Sequence, residues 1–468
     1  MTCVPSSAPP ADRSPSSKLE DSYYQPFAGV YSTYMIPHTE NEDQQLRLLS
    51  KAIKSVYASI YFSSSRGYIT STANVISEEK MAIVIQEVCG SENGGRWFPA
   101  ISGVARSVNF YPIGNECPED GIVKMAYGLG KAVVDGEDVL RFCPKFPKNI
   151  LQTSTPELTM KETQEWMYAL NLRPEKFKTS VDEAVNLEKI RIADCGGFSS
   201  LRKVVSTWDY ANMRMVDSGA PEGPKFVTFA QILKYHSYPL AEILDSLLSL
   251  MKEEVKCDIE LEFAADFCPD GRMEFNVLQI RPISVDGLQG EVDWSKIEAE
   301  GAWLRSGCAI GPGKIAGIQD IVYLRKEAFD RMRTLEMAEE ITRLNSGMRS
   351  RKGHYMLVGF GRWGTSEPTL GVPVKWSDIS EAKVIVECSL DDFRIDPSQG
   401  THFFQNMTSA NAGYVNVNPF SRSGEVCDLS ALDALPAVYE SEFVRVVHLQ
   451  RELTVVVDGR EGQAVAVF

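Results

Sequence analysis

The sequence predicts a mixed α+β fold shared between two or three domains. Three observations point there. At 468 residues the chain is long enough to bury more than one core. Helix-period and strand-period apolar stretches alternate along it, without the strict rhythm of a βαβ array. The stretch "ELEFAADFCPDGRMEFNVLQIRPIS", Glu260 to Ser284, reads as two apolar runs joined by a turn, which is the pattern of a strand hairpin.

Each element follows from its own residues. Residues 1–17, "MTCVPSSAPPADRSPSS", are rich in Pro and Ser, lack the apolar run of a secretory signal, and read as a flexible lead. Leu46, Leu49, Ile53, Val56, Tyr57 and Ile60 recur at helical spacing and predict an amphipathic helix. "KMAIVIQEV" predicts a short buried strand ending at Gln86 and Glu87. "GRWFPAISGVARSVNFYP" and "GIVKMAYGLGKAVVDG" predict further strands and tight glycine turns. A weaker, more polar stretch follows, with a helix expected at "VDEAVNLEKIR". Apolar residues at 240, 243, 244, 247, 250 and 251 predict a second amphipathic helix, and the hairpin comes directly after it. "SVDGLQGEVD" reads as a linker, so the expected domains are 18–290 and 291–468. In the second, helix is expected near 318–345 and strand at "AKVIVECSL" and "ELTVVVDG", with the glycine-rich "GFGRWGTSEPTLGVPVKW" between.

Composition narrows the function. The net charge of -15 disfavours nucleic acid and anionic membranes as nonspecific partners, because an acidic field repels both. A local basic pocket for a nucleotide remains compatible with it. No run approaches the roughly 18–20 apolar residues of a membrane helix. The ten cysteines include no C-x-x-C pair, so zinc-ribbon and disulfide-scaffold readings lack the spacing they need. Reduced thiols fit a cytoplasmic protein.

The hairpin carries the chemistry. Side chains at i and i+2 share a strand face, so Glu260 with Glu262, and Gln279 with Arg281, can converge on one spot. Two carboxylates suit a hard cation such as Mg2+ together with phosphate oxygens, and a guanidinium fork suits phosphate. The alternative is a solvated strand face whose Glu and Arg pair across strands.

"ELEFAADF" and "VLQIRPI" resemble the closing signature of the ATP-grasp nucleotide-binding domain of pyruvate phosphate dikinase and phosphoenolpyruvate synthase. "SKLEDSYYQPFAGVYSTYM", "MAIVIQEV", "ISGVARSVNFYP" and "YGLGKAVVDG" are similar to further family segments, in the family's order. The resemblance implies an ATP-grasp-like domain binding ATP through Gly29, Thr33, Gln86, Glu262, Gln279 and Arg281, with Mg2+ between Glu262 and Glu260. Gly29 lets backbone approach phosphate, and the Thr33 hydroxyl and Gln86 amide offer polar contacts.

Departures matter equally. In "SPSSKLED", Ser14 stands where the family pattern has an arginine, and Arg13 is one residue off. The family's phosphate-binding lysine has no counterpart here, which implies a domain incomplete in its N-terminal part. The Gly-Gly-x-x-Ser-His loop of the phosphohistidine domain and the pyruvate barrel have no counterpart either, so a complete dikinase cycle is not expected. Two readings follow: a phosphotransferase of the dikinase type serving a separate phosphohistidine carrier or small-molecule acceptor, or a degenerate nucleotide-binding or sensor module. "GRWGTSEPTLGVPVKW" and "DPSQGTHFFQNMTS" resemble the tail of long bacterial phosphoenolpyruvate-synthase-like proteins. Arg362, Trp363 and His402 there are either ligand contacts or parts of glycine turns with a partly buried Trp and His.

Overall fold

The computed structural model describes residues 10–13, 27–71, 81–180, 182–219, 222–283, 302–351, 353–393, 397, 401–420, 425–459 and 462–467. The Ser14–Asp21 register, the expected linker and most of "DPSQG" lie outside them. The chain divides into two compact units, one of Met1–Asn109 with Ile113–Pro282, the other of Phe110–Pro112 with Ile283–Phe468. Both mix helices and sheets.

In the first unit, helix α1 (Glu42–Ser59) begins at Asn41, whose side-chain oxygen accepts from the Gln44 amide at 2.9 Å. Its buried stripe is Leu48, Ala52, Val56 and Ser59, whereas Leu46 is 63% and Tyr57 48% exposed. The helix is where periodicity placed it, but turned about its axis. The strand at β1 (Val84–Glu87) forms too, yet its residues are mostly exposed, contrary to the expected buried strand. It pairs antiparallel with a strand at Pro10–Arg13, inside the stretch expected to be a flexible lead.

The segment that positions the site is a five-stranded antiparallel sheet. It comprises β2 (Ile101–Arg106), β3 (Ile122–Ala126), β4 (Leu140–Phe142), β5 (Ile259–Phe267) and β6 (Met273–Pro282), in the order β6-β5-β2-β3-β4. Strand alternation gives it two unlike faces. Ile101, Ala105, Val123, Met125, Leu140, Phe142, Leu261 and Phe263 enter the unit's main core. Helix α2 (Leu240–Val255) buries Leu240, Ala241, Leu244 and Leu248 in the same core. Each large side chain so buried contributes roughly 1.5–3 kcal/mol. Gly103 is required where β2 passes under Phe263, since a Cβ there would lie 2.5 Å from the ring and 2.7 Å from the Lys124 carbonyl oxygen. The opposite face carries Arg106, Lys124, Arg141, Glu260 and Glu262. The helix expected at 181–191 is instead a short 3-10 turn, Glu183–Asn186, running into a strand, Leu187–Arg191. Pairing with Trp166–Asn171 outweighs the local helix pattern.

The second unit is built on a ten-stranded sheet. Its centre is β7 (Pro312–Leu324), β8 (Tyr355–Phe360), β9 (Ala382–Cys388) and β10 (Gly413–Val417), mutually parallel in the order β10-β9-β8-β7. Helix α3 (Thr334–Arg351) connects β7 to β8, and α4 (His402–Ser409) connects β9 to β10. Every residue of β8 is buried, the mark of a parallel strand covered on both faces. Residues 318–324 are strand rather than helix, because β7 pairs on both sides, with β8 and with β11 (Val444–Asp458). Trp363 is fully buried: its indole N–H donates to the Val386 carbonyl at 3.1 Å and its backbone N–H to Glu387 Oε1 at 2.8 Å. The indole is more deeply packed than the partly buried tryptophan expected from the sequence.

Candidate nucleotide site

The site begins with strand register. Glu260 lies opposite Arg281 and Glu262 opposite Gln279, and the pairing then slips by one residue between Glu262 and Phe263. This bulge at Leu278 bends β6 next to the four polar side chains, as bulges at functional edges commonly do. On its other side β5 places Glu260 opposite Arg106 and Glu262 opposite Val104. The row through Glu262 continues from Val104 to Lys124 and on to Arg141. One polar face therefore spans all five strands.

The contacts are ionic and nearly dry. Arg106 Nε donates to Glu260 Oε2 at 2.7 Å, and Nη2 of the same guanidinium reaches the same oxygen. Both side chains are almost fully buried. Arg281 Nη1 lies 3.9 Å from Glu260 and 3.6 Å from Glu262, and its Nη2 donates to Gln279 Oε1 at 2.9 Å. Arg141 donates to Glu116 at 2.8 Å, and Glu116 also accepts from the Asn109 amide at 2.9 Å. Two guanidinium groups thus balance two carboxylates where burial makes an unmatched charge costly.

Of the residues picked from sequence, Glu260, Glu262, Gln279 and Arg281 come together on one face. Gln86 joins them at the edge, its amide nitrogen 3.5 Å from the Leu278 carbonyl oxygen at the bulge. Gly29 adopts φ +65°, a conformation that favours glycine. Thr33 is half-buried beside it. Their segment is fastened locally, with the Ser32 amide donating to Ser59 Oγ at 3.2 Å and Ser65 Oγ to the Val30 carbonyl at 2.7 Å. No hydrogen bond or ion pair among the described residues ties Gly29 or Thr33 to the carboxylate–guanidinium group.

Sequence reasoning missed Arg106 and Lys124. Each is a lone cation inside an apolar strand run, "ISGVAR" and "GIVKMA", which is a readable signal. That both lie on the Glu262 face depends on strand order, which no local pattern states.

Residues 6–301 match the family model for the pyruvate phosphate dikinase AMP/ATP-binding domain. The chain belongs to that family. No curated protein matches it. As a member of the pyruvate phosphate dikinase family, it carries a nucleotide-binding domain over its first unit, and most of the second unit lies beyond the matched residues. No helix among the described residues is long and apolar enough to cross a membrane.

The family implies ATP, and a polyphosphate usually arrives with Mg2+. Among the described residues no group of three or more His, Cys, Asp or Glu side chains is arranged to hold a metal. Two carboxylates suffice when phosphate oxygens complete the shell. Glu260 also accepts from Arg106 at 2.7 Å, and Glu262 has the Arg281 guanidinium at 3.6 Å. The donor set fits a metal-bound phosphate at Glu262, with Glu260 as counter-ion to Arg106.

Proposed function

We propose that the first unit is an ATP-grasp-like domain that binds Mg–ATP and supplies the donor side of a phosphotransferase. The observation that carries this reading is the convergence of Glu262, Gln279 and Arg281 beside a bulge within the family's AMP/ATP-binding domain. Bound Mg2+ neutralises phosphate oxygens and makes the terminal phosphoryl group more electrophilic. Glu262 holds the metal, and Arg281 grips a phosphate oxygen through its fork. Gln279 fixes the plane of that guanidinium through its 2.9 Å hydrogen bond. Gln86, at the edge of the same group, offers its amide to the nucleotide, and Gly29 and Thr33 supply backbone and hydroxyl contacts from their own turn. The acceptor is a separate phosphohistidine carrier or a small molecule in the cytoplasm, and residues 291–468 form a second domain with a role of its own.

Titration calorimetry with and without Mg2+ tests the binding step. Glu262→Gln is expected to weaken Mg–ATP binding roughly tenfold or more, as befits a charge-assisted contact of about 1.5–3 kcal/mol. Equal affinity in wild type and variant would remove Glu262 from the site. Transfer is tested with ATP labelled at the β and γ positions, by following label onto protein or acceptor.

One observation favours a second reading, a nucleotide-binding sensor without transfer. The buried Arg106–Glu260 pair withdraws one of the two carboxylates from metal chemistry. Intact binding with no transferred label selects that reading.

A further inference from the structure

The second unit holds a site that the family assignment does not touch. The parallel strands β7 to β10 end along one edge, where Phe360 is the lateral neighbour of Cys388 and Cys388 that of Val417. Here a cavity of about 450 Å3 opens at that edge, a size suited to a small organic molecule.

Its chemistry is graded from floor to rim. Tyr323, Phe360 and Cys388 form a floor of buried, mostly aromatic surface, and Phe420, 40% exposed, stands at the lip. The rim is acidic. Among the described residues that line it, the carboxylates Glu327, Asp391, Asp428 and Asp433 outnumber the cations Arg325 and Lys326. Arg325 is turned away to the Ser441 carbonyl at 2.9 Å and to Glu440 at 3.6 Å. Asp433 accepts from the Tyr323 hydroxyl at 2.8 Å, and Asp428 accepts from the Ser430 amide at 3.0 Å. Glu327 and Asp391 are exposed and make no hydrogen bond or ion pair among the described residues.

A phosphate ligand does not fit this edge. Gly359, near the end of β8, and Gly361 and Gly364 after it have the spacing of a dinucleotide fingerprint, but that loop needs open glycines and a helix after it. Here the space is filled: a Cβ at the three glycines would lie 2.3 Å from Trp363, 2.5 Å from Phe393 and 2.1 Å from Phe403. The chain then continues as a short strand, Arg362–Trp363, rather than a helix. An anion would also meet the acidic rim.

We propose that this crevice binds a small aromatic amine, with the ring on the Tyr323–Phe360 floor against Phe420 and the ammonium at the Asp391 rim. Ring packing and cation–π attraction supply the apolar part. A charge-assisted hydrogen bond to a carboxylate selects the ammonium. The proposal is independent of nucleotide binding in the first unit.

The test uses the full chain and three probes of one shape: phenethylamine, phenethyl alcohol and phenylacetate. Saturation-transfer NMR titration is expected to show saturable binding of the amine, weaker binding of the alcohol and none of phenylacetate, with excess ATP displacing nothing. Asp391→Asn is expected to weaken the amine about threefold while leaving the alcohol unchanged, the modest effect of an exposed charge. Phe420→Ala is expected to weaken both. Both positions are exposed, and circular dichroism checks that each variant is folded. Equal binding of amine and phenylacetate, no saturable binding of the amine, or indifference to both substitutions would overturn the proposal.

Discussion

At the scale of single residues, the site depends on one buried ion pair. Arg106 and Glu260 come from distant parts of the chain and meet with almost no solvent around them. Removing one partner leaves a charge in a dry place, a loss of about 3–5 kcal/mol, whereas removing both can be nearly neutral. Urea denaturation of Glu260→Leu is therefore expected to show a loss of that order, most of it recovered in Arg106→Leu/Glu260→Leu. Simple additivity of the two single losses would show that the pair does not act as a unit. A second residue-scale outcome concerns Cys195, buried in the first unit's core. Burial, reinforced by the charge of Asp194, pushes its thiol up to about 12. The unfolded thiol ionises near 9.0, so rising pH favours the unfolded state between that value and about 12. Stability falls across this window, and Cys195→Ala is expected to lessen the fall, as read from denaturation midpoints at pH 8 and pH 10.5.

At the scale of elements, the polar face exists because the other face is fully used by the core. The side chains of β2, β3, β4 and β5 alternate between the two, and Gly103 lets Phe263 lie across β2. Gly103→Ala forces a methyl group against that ring and against a ladder carbonyl, neither of which yields easily. A loss of about 1–3 kcal/mol is expected, the usual cost of overpacking. Because the strain falls between Ser102 and Val104, nucleotide affinity should fall with it, measured by the same calorimetry. A variant as stable as wild type would mean that the sheet relaxes around the methyl group.

At the scale of the whole molecule, an acidic chain gathers several cations on one sheet face. The net charge is -15, yet Arg106, Lys124, Arg141 and Arg281 share one sheet face with Glu260 and Glu262, and Glu116 pairs with Arg141 from outside the sheet. The division into two compact units has a calorimetric consequence. Two thermal transitions are expected, and Mg–ATP should raise only one of them. The stabilisation is about 2.7 kcal/mol at a hundredfold excess over Kd, because a ligand stabilises the unit that binds it. A single transition, or two that move together, would contradict this.

Local patterns by themselves determined the elements that carry strong periodicity or a turn: α1, α2 and the hairpin of β5 and β6. They also determined that Glu260 shares a face with Glu262, and Gln279 with Arg281, since a strand has a period of two. They could not say which strand lies beside β5. Only the tertiary structure decided that Arg106 does, and with it that Glu260 is a counter-ion and that Lys124 shares the polar face. The same limit explains the misread segments. Leu187–Arg191 and residues 318–324 carry helix-compatible patterns, yet each became strand because neighbours distant in sequence offered backbone hydrogen bonds. The buried stripe of α1 was likewise chosen by what packs against it. Periodicity is a property of neighbours along the chain; register and charge pairing belong to neighbours in space.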